Sequence, residues 1–144
     1  MNFRDFLPLA ESLAQSDGEA AWRTSVSRAY YTAFHVACNF MTSLGFAVPK
    51  TDRAHGYLWL RLDNAGHAEV LRRGHMLKDL RSRRNIADYD QQRKVTRPHA
   101  EKALLDARDI IGSLDALTKT ELPQITEAIK KYERDVLKEV TWRA

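Results

Sequence analysis

The chain has 144 residues, of which 44% are hydrophobic and 29% charged, with a formal net charge of +4 at pH 7. This balance is typical of a soluble globular protein, and the length predicts one domain with a sizeable core. No apolar run approaches the roughly 18 residues of a membrane span, and the charges at Arg4, Asp5 and Glu11 argue against a signal peptide. Cys38 is the only cysteine, which excludes an internal disulfide. We therefore expect a cytoplasmic protein with no membrane segment.

Two helices are predicted at the start of the chain. The first covers residues 2–16, with Pro8 accommodated in its first turn. Its expected apolar stripe consists of Phe3, Phe6, Leu9 and Leu13. The second covers residues 19–44 and is apolar around nearly its whole circumference, so we expect it to be the central helix. Arg28 is the only charged residue within residues 25–48. Because burying an unpaired guanidinium is costly, we expect Arg28 to reach a partner, the protein surface or a cleft.

The sequence predicts three more helices and one polar loop in the middle of the chain. The helices cover residues 52–64, 67–88 and 98–117, and the loop covers residues 89–97. Leucine at every second position of residues 58–62 is also compatible with a strand. The rest of the chain predicts no strand to pair with it, which favours a helix. Gly74 is a weak point at which the fourth helix can break. Val95 is the only apolar anchor of the loop.

A last helix is predicted from about residue 120 to residue 142. Its apolar positions are sparse and form a narrow stripe of Ile125, Ile129, Tyr132, Val136 and Val140. Such a stripe suits docking on the bundle or on a partner subunit, so this element is expected to contribute least to the core. We divide the chain into a bundle, residues 1–119, and a C-terminal helix, residues 120–144. The predicted fold is all-α, an up-and-down antiparallel bundle of four to five core helices plus the C-terminal helix, with no strands.

Positive charge is concentrated in one segment of the chain. Residues 72–97 contain nine Lys or Arg against three Asp or Glu, a local charge of +6, which leaves −2 for the remainder. A localised basic patch is typical of a nucleic-acid or nucleotide site, although ordinary surface helices also carry such patches.

One face of the fourth helix concentrates the candidate chemistry. At about 100° per residue, Arg81, Arg84, Asn85 and Asp88 share this face, and Tyr89 lies at its rim. Guanidinium groups match phosphate geometry and stay charged at any working pH. A simpler interpretation is an Arg84–Asp88 pair on a solvated helix, which contributes little.

Several reaction classes have no motif in this sequence. It contains no phosphate-cradling glycine loop, no HExxH, no Cys/His set at zinc spacing and no nucleophile elbow. Its five histidines are dispersed. We expect no metal and no other cofactor, so any catalysis would rest on the arginine–polar cluster.

Three stretches together resemble a known family. They are SRAYYTAFH at residues 27–35, RNIADYD at residues 84–90 and the helix at residues 100–111. With DFLPLAESLA near the N-terminus, they resemble the HEPN superfamily, and most closely its small stand-alone bacterial and archaeal members, over about residues 2–116. The resemblance implies a four- or five-helix bundle that usually dimerises. Many members are metal-independent endoribonucleases, others bind RNA or nucleotide without catalysis, and many are encoded beside a small nucleotidyltransferase in toxin–antitoxin or defence pairs.

The family's catalytic motif is an arginine, a polar residue, three variable residues and a histidine at the dimer interface. By position, the arginine falls on Arg84, the polar residue on Asn85 and the histidine on Tyr89, with Asp88 one residue earlier. These four are the candidate catalytic residues. The candidate phosphate- or nucleic-acid-binding residues are Arg81, Arg83, Arg28, Arg93 and Lys94. Because tyrosine is a poor base at pH 7, His35 and His55 are the candidates for assisting proton transfer.

The sequence leaves more than one function open. The first is a HEPN-fold homodimer that binds RNA or nucleotide phosphate in a toxin–antitoxin or antiviral defence module, with or without metal-independent endoribonuclease activity. The alternative is a catalytically silent interaction module that regulates, or is modified by, a partner nucleotidyltransferase. A structural dimer without a ligand is the third.

Overall fold

A computed structural model describes residues 1–143 and shows six α-helices in that part of the chain. They are α1 (Phe6–Gln15), α2 (Glu19–Ser43), α3 (Arg53–Asp63), α4 (Ala68–Tyr89), α5 (Arg97–Asp115) and α6 (Glu121–Tyr132). A 3₁₀ turn at Phe3–Asp5 precedes α1, and a π-helical turn at Glu133–Leu137 follows α6. Among the described residues the only β feature is one isolated antiparallel bridge, between Phe46 and Trp142. The all-α prediction is confirmed, and residues 58–62 are helical.

Helix α2 is the centre of the bundle, as predicted. It packs against α1, α4 and α5, and more lightly against α3. Tyr30 and Thr32 are both almost completely buried, although they point about 200° apart around the helix. The bundle is therefore organised around α2, and the polar side chains of α2 must find their partners on the surrounding helices. No helix within residues 1–143 combines the length and apolarity needed to cross a membrane.

The buried face of α1 differs from the predicted stripe. Ala10 and Ala14 are fully buried, whereas Leu9 is 47% exposed. The small side chains let α1 approach α2 closely enough for the Ser25 hydroxyl to donate a 2.7 Å hydrogen bond to the carbonyl of Ala10. The prediction for Leu9 was wrong because close backbone approach selected small residues over large ones at this contact.

Helix α4 does not break at Gly74. The helix runs uninterrupted through this residue. A β-carbon placed there would lie only 2.9 Å from Cβ of Leu62 on α3. The glycine therefore serves the close packing of α3 against α4, and the break predicted at this position was wrong.

The C-terminal segment also departs from its prediction. Helix α6 ends at Tyr132 instead of continuing to residue 142. Lys138 adopts a left-handed conformation with φ of 57°, and the residues after it run back in an extended conformation toward Phe46. Ile125 and Ile129 of the predicted stripe are buried, whereas Val136 and Val140 are exposed, so α6 belongs to the core through two residues only.

Candidate phosphate-binding site

The Arg84 guanidinium lies where α4 packs against α2. Its Nη2 donates to the hydroxyl of Tyr31 on α2, and its Nη1 donates to Oδ1 of Asn85 at 2.7 Å. Its Nε lies 3.1 Å from Oδ2 of Asp88, and the Arg84 side chain is 12% exposed. The predicted Arg84–Asp88 pair therefore exists, but packing against α2 removes it from the solvated helix surface of the simpler interpretation.

Helix periodicity explains why α2 supplies the partners of this pair. Ser27 and Tyr31 are one helical turn apart on α2, as are Arg84 and Asp88 on α4, so the two pairs face each other. The Ser27 hydroxyl donates to Oδ2 of Asp88 at 3.1 Å, while Tyr31 contacts the guanidinium. Both members of the ion pair are thus held from α2. Asn85 remains exposed, so its contact with Arg84 is the one that an incoming anion can replace most easily.

Aromatic rings surround the Arg84 guanidinium. Its central carbon lies 4.7 Å from the ring centre of Tyr31, 5.9 Å from that of Tyr30 and 5.8 Å from that of Tyr89. Cation–π attraction of this kind orients a guanidinium plane. Tyr89 is 75% exposed and offers a free ring face on which a base can stack.

Arg81 is the uncompensated charge of the site. It lies one turn before Arg84 on the same face of α4, and it is partly buried. Within residues 1–143 it has no ion pair and no hydrogen bond, and its Nε is enclosed without a partner. A partly buried guanidinium without a counter-ion is unfavourable, and a bound anion would relieve that cost.

His55, in the first turn of α3, lies beside these arginines. The side chain is 8% exposed, and its Nδ1 is hydrogen-bonded to the hydroxyl of Tyr30. Burial lowers the pKa of His55 to about 4, and the positive charges of Arg81 and Arg84 act in the same direction. The carboxylate of Asp52 opposes this shift. Burial raises the pKa of Tyr30 above its usual value. At neutral pH both groups are therefore uncharged.

Arg28 and His35 flank Tyr31 on α2, about one helical turn before it and one turn after it. The imidazole of His35 stacks on Phe3, with ring centres 3.7 Å apart. Burial, with a smaller effect from Arg28, lowers the pKa of His35. The Arg28 guanidinium lies 5.1 Å from the ring centres of both Phe6 and Tyr31. The partners of the Arg28 guanidinium, which the sequence left open, are therefore these two aromatic rings.

The remaining basic candidates lie apart from Arg84. Arg83 contacts Asp106 on α5 and lies 3.1 Å from Asp79, so its charge is compensated within the bundle. Arg83, Arg93 and Lys94 line a separate pocket of about 230 Å³ between α2, α4 and α5. The structure therefore places Arg81, Asn85, Asp88 and Tyr89 around Arg84, and the other three on a different surface.

Arg23 has a structural role that the sequence interpretation missed. Its Nη1 donates to the carbonyls of Ile86 at 3.1 Å, Ala87 at 3.0 Å and Asp90 at 2.9 Å. These contacts cap the C-terminal end of α4 and fix the turn that follows Tyr89. This role could have been inferred from the sequence, because Arg23 lies one turn before Ser27 on the face of α2 that packs against α4.

Tyr30 and Tyr31 were also not assigned a role from the sequence, although both belong to the stretch at residues 27–35. They form, with Ser27, a polar stripe on an otherwise apolar helix. Such a stripe on a central helix indicates partners on a neighbouring helix. No cluster of three or more His, Cys, Asp or Glu suited to a metal ion occurs in the described part of the chain.

Comparison with known proteins supports the resemblance found in the sequence. No curated protein and no solved structure matches the chain. The family model of the HEPN domain matches residues 4–117 of the 144, from the 3₁₀ turn that precedes α1 to just beyond the end of α5. The match contains α2 and α4 and therefore the whole cluster around Arg84. The chain belongs to the HEPN family.

Proposed function

We propose that this HEPN protein binds RNA or nucleotide phosphate through Arg84 and Arg81, as a homodimer within a toxin–antitoxin or antiviral defence module. The observation that carries the proposal is the partly buried Arg81, which has no counter-ion within residues 1–143 and lies one turn from Arg84. Family membership supports the proposal of a homodimer that binds RNA or nucleotide, since HEPN domains commonly dimerise and are often linked to RNA or nucleotides. The defence setting is part of the proposal and is what the resemblance of residues 27–35 and 84–90 implies.

The geometry suggests how an anion would be held. A phosphate oxygen would replace Asn85 on Nη1 of Arg84, because that contact is exposed and neutral. Asp88 and Tyr31 would keep the guanidinium in place during the exchange. The charge of Arg81 would then be neutralised by the same anion.

Cleavage would require more than phosphate binding. In a metal-independent reaction the ribose 2′-oxygen attacks the adjacent phosphorus, the 2′-hydroxyl proton passes to a base, and the 5′-oxygen leaves with a proton from an acid. The products are a 2′,3′-cyclic phosphate and a 5′-hydroxyl. In such a reaction Arg84 would stabilise the pentacoordinate phosphorus. His55 is uncharged at pH 7 because its pKa is lowered to about 4, so it is a weak acid–base catalyst there. Binding is therefore the better supported activity.

A second candidate function follows from the exposure of Tyr89. Its ring is 75% exposed at the rim of the site, so its hydroxyl is accessible to another enzyme. In this alternative the protein is a catalytically silent partner of a nucleotidyltransferase. That enzyme would transfer a nucleotidyl group from a nucleoside triphosphate to the Tyr89 oxygen and release pyrophosphate. Intact-mass measurement after co-expression would show the added nucleotide in the wild type and not in Tyr89→Phe.

RNA binding provides the test of the main proposal. We would titrate a fluorescein-labelled single-stranded RNA of mixed sequence with the protein in EDTA and follow fluorescence anisotropy. Arg84→Ala should weaken binding about tenfold or more, since a charge-assisted hydrogen bond contributes about 1.5–3 kcal/mol. The matched control is Arg72→Ala, which removes the same charge from an exposed position on α4. Equal losses in the two variants would show only general attraction to a basic surface.

Arg81→Met provides an independent check on the same proposal. Because Arg81 has no partner within the described chain, its replacement should not lower the free energy of unfolding, measured by urea denaturation. RNA affinity should nevertheless fall. A variant that is less stable and binds RNA normally would contradict the assignment.

A further inference from the structure

A cleft opens between α2 and the segment that leads into α3. Its volume is about 460 Å³, which is within the range of small-molecule sites. Aromatic rings from α2, those of Tyr31, Phe34 and His35, form one wall. Lys50 and Thr51 are exposed at the opposite side. The cleft thus combines flat apolar surfaces with a polar edge.

His55 presents an unused hydrogen-bond donor to this cleft. The Tyr30 hydroxyl keeps its proton at neutral pH and has no partner within residues 1–143 except Nδ1 of His55, so it donates to that nitrogen. The neutral imidazole then carries its own proton on Nε2. Nε2 has no hydrogen-bond partner in the described chain and opens onto the cleft, while the rest of the His55 side chain is buried. A donor that faces the cleft in this way is available to a ligand that enters it.

Tyr31 connects the cleft with the arginine site. Its hydroxyl contacts Arg84, while its ring lines the cleft, with its centre 6.4 Å from that of His55 and 6.2 Å from that of His35. A ligand whose phosphate lies on Arg84 would therefore need to extend by only about one aromatic ring to enter the cleft. The donor inside the cleft is neutral, which suits a neutral acceptor better than a second phosphate.

We infer that the cleft between α2 and α3 is a nucleobase pocket. It receives the base of the nucleotide whose phosphate is held by Arg84 and Arg81, and His55 Nε2 donates to a ring nitrogen or carbonyl oxygen of that base. The face of His35 opposite Phe3 provides the stacking surface, and Tyr31 and Phe34 complete the apolar wall. This inference rests on the proposed function, and it adds a base-recognition residue, His55, from outside the stretch at residues 84–90.

The test separates base binding from phosphate binding. We would compare, by fluorescence anisotropy, a short single-stranded RNA with an abasic oligoribonucleotide that has the same number of phosphates. Wild type should bind the RNA more tightly than the abasic strand. His55→Ala should weaken RNA binding about fivefold, the value of one net hydrogen bond, and should leave the abasic strand unaffected.

Two further variants keep the result interpretable. Tyr30→Phe retains the buried ring but removes the hydroxyl that fixes the His55 proton, so it should cause a smaller loss of the same base-dependent kind. His75→Ala is the matched control, because His75 is an exposed histidine on α4 beside Asp63, and it should bind both strands as the wild type does.

The outcomes distinguish this inference from the proposed function. If Arg84→Ala weakens both strands while His55→Ala and Tyr30→Phe weaken neither, the arginine site stands and the base pocket is wrong. Equal wild-type affinity for the two strands would also overturn the pocket. If Arg84→Ala changes neither strand, the proposed function itself fails. Absence of binding to both strands would overturn the two together.

Discussion

The buried ion pair between α3 and the C-terminal segment gives a quantitative prediction. Glu133 is fully buried, and its Oε2 accepts a 2.7 Å hydrogen bond from Nε of Arg61. Its Oε1 accepts from the backbone N–H of Thr141 at 2.9 Å. Arg61 is 3% exposed, with its guanidinium 3.6 Å from the ring centre of Tyr57. These contacts join residues outside the HEPN match to the helix that carries His55.

Glu133→Ala would leave the Arg61 guanidinium buried without a counter-ion. Apart from Glu133, its only hydrogen bond in the described chain is to the carbonyl of Tyr57 at 3.3 Å. Breaking a buried pair from one side costs about 3–5 kcal/mol, so we expect a loss of about 4 kcal/mol in the free energy of unfolding. This is a large fraction of the roughly 5–15 kcal/mol available to a protein of this size.

Urea denaturation followed by circular dichroism at 222 nm would measure this loss. The control is Asp135→Ala, which removes a carboxylate from an exposed pair with Arg134 in the same segment and should leave the free energy of unfolding nearly unchanged. The double variant Arg61→Met with Glu133→Leu should recover most of the stability, because it removes both charges. The reasoning is refuted if Glu133→Ala costs no more than Asp135→Ala, or if the double variant is no better than Glu133→Ala alone.

Three further predictions concern stability and local order. Because the pKa of His55 is lowered from 6.5 to about 4, the native state binds fewer protons than the unfolded state between these values. As the pH falls from 6.5 to 4, the free energy of unfolding should therefore decrease by about 3 kcal/mol more in wild type than in His55→Gln. Parallel curves of unfolding free energy against pH for the two proteins would exclude the shift. Arg23→Ala should speed hydrogen exchange at residues 88–95, since it uncaps α4; unchanged exchange would contradict that role. Gly74→Ala should destabilise by about 1–2 kcal/mol in thermal unfolding because its Cβ would meet Leu62. Gly112 has open space around it, so Gly112→Ala should stabilise the protein by about 0.5–1 kcal/mol. A stability change of the same sign in Gly74→Ala and Gly112→Ala would contradict the packing argument.

The sequence predicted the helices well because most of them are amphipathic over several turns. The bounds of α2, α4 and α5 lie within two residues of the prediction at each end. The central position of α2 was predictable because its apolar surface is continuous around the helix. Periodicity also placed Arg84, Arg81 and Asp88 on one face of α4.

The contacts between helices were not predictable from periodicity. The burial of Ala10 in place of Leu9 depends on how closely α1 approaches α2, which no single-helix pattern contains. The reversal after Lys138 depends on Glu133 finding Arg61 from a distant part of the chain. For the same reason Tyr31 was not identified as the partner of Arg84.

The salt dependence of RNA affinity tests the central claim, that Arg84 binds a nucleic-acid phosphate, most directly. Each neutralised phosphate of a single strand contributes about −0.7 to the slope of log K against log salt concentration. We would measure this slope for wild type, Arg84→Ala and Arg72→Ala between low and physiological salt. The account predicts weaker binding and a slope shallower by about 0.7 for Arg84→Ala, with Arg72→Ala parallel to wild type. Coincident lines for wild type and Arg84→Ala would show that no phosphate lies on Arg84 and would contradict the account.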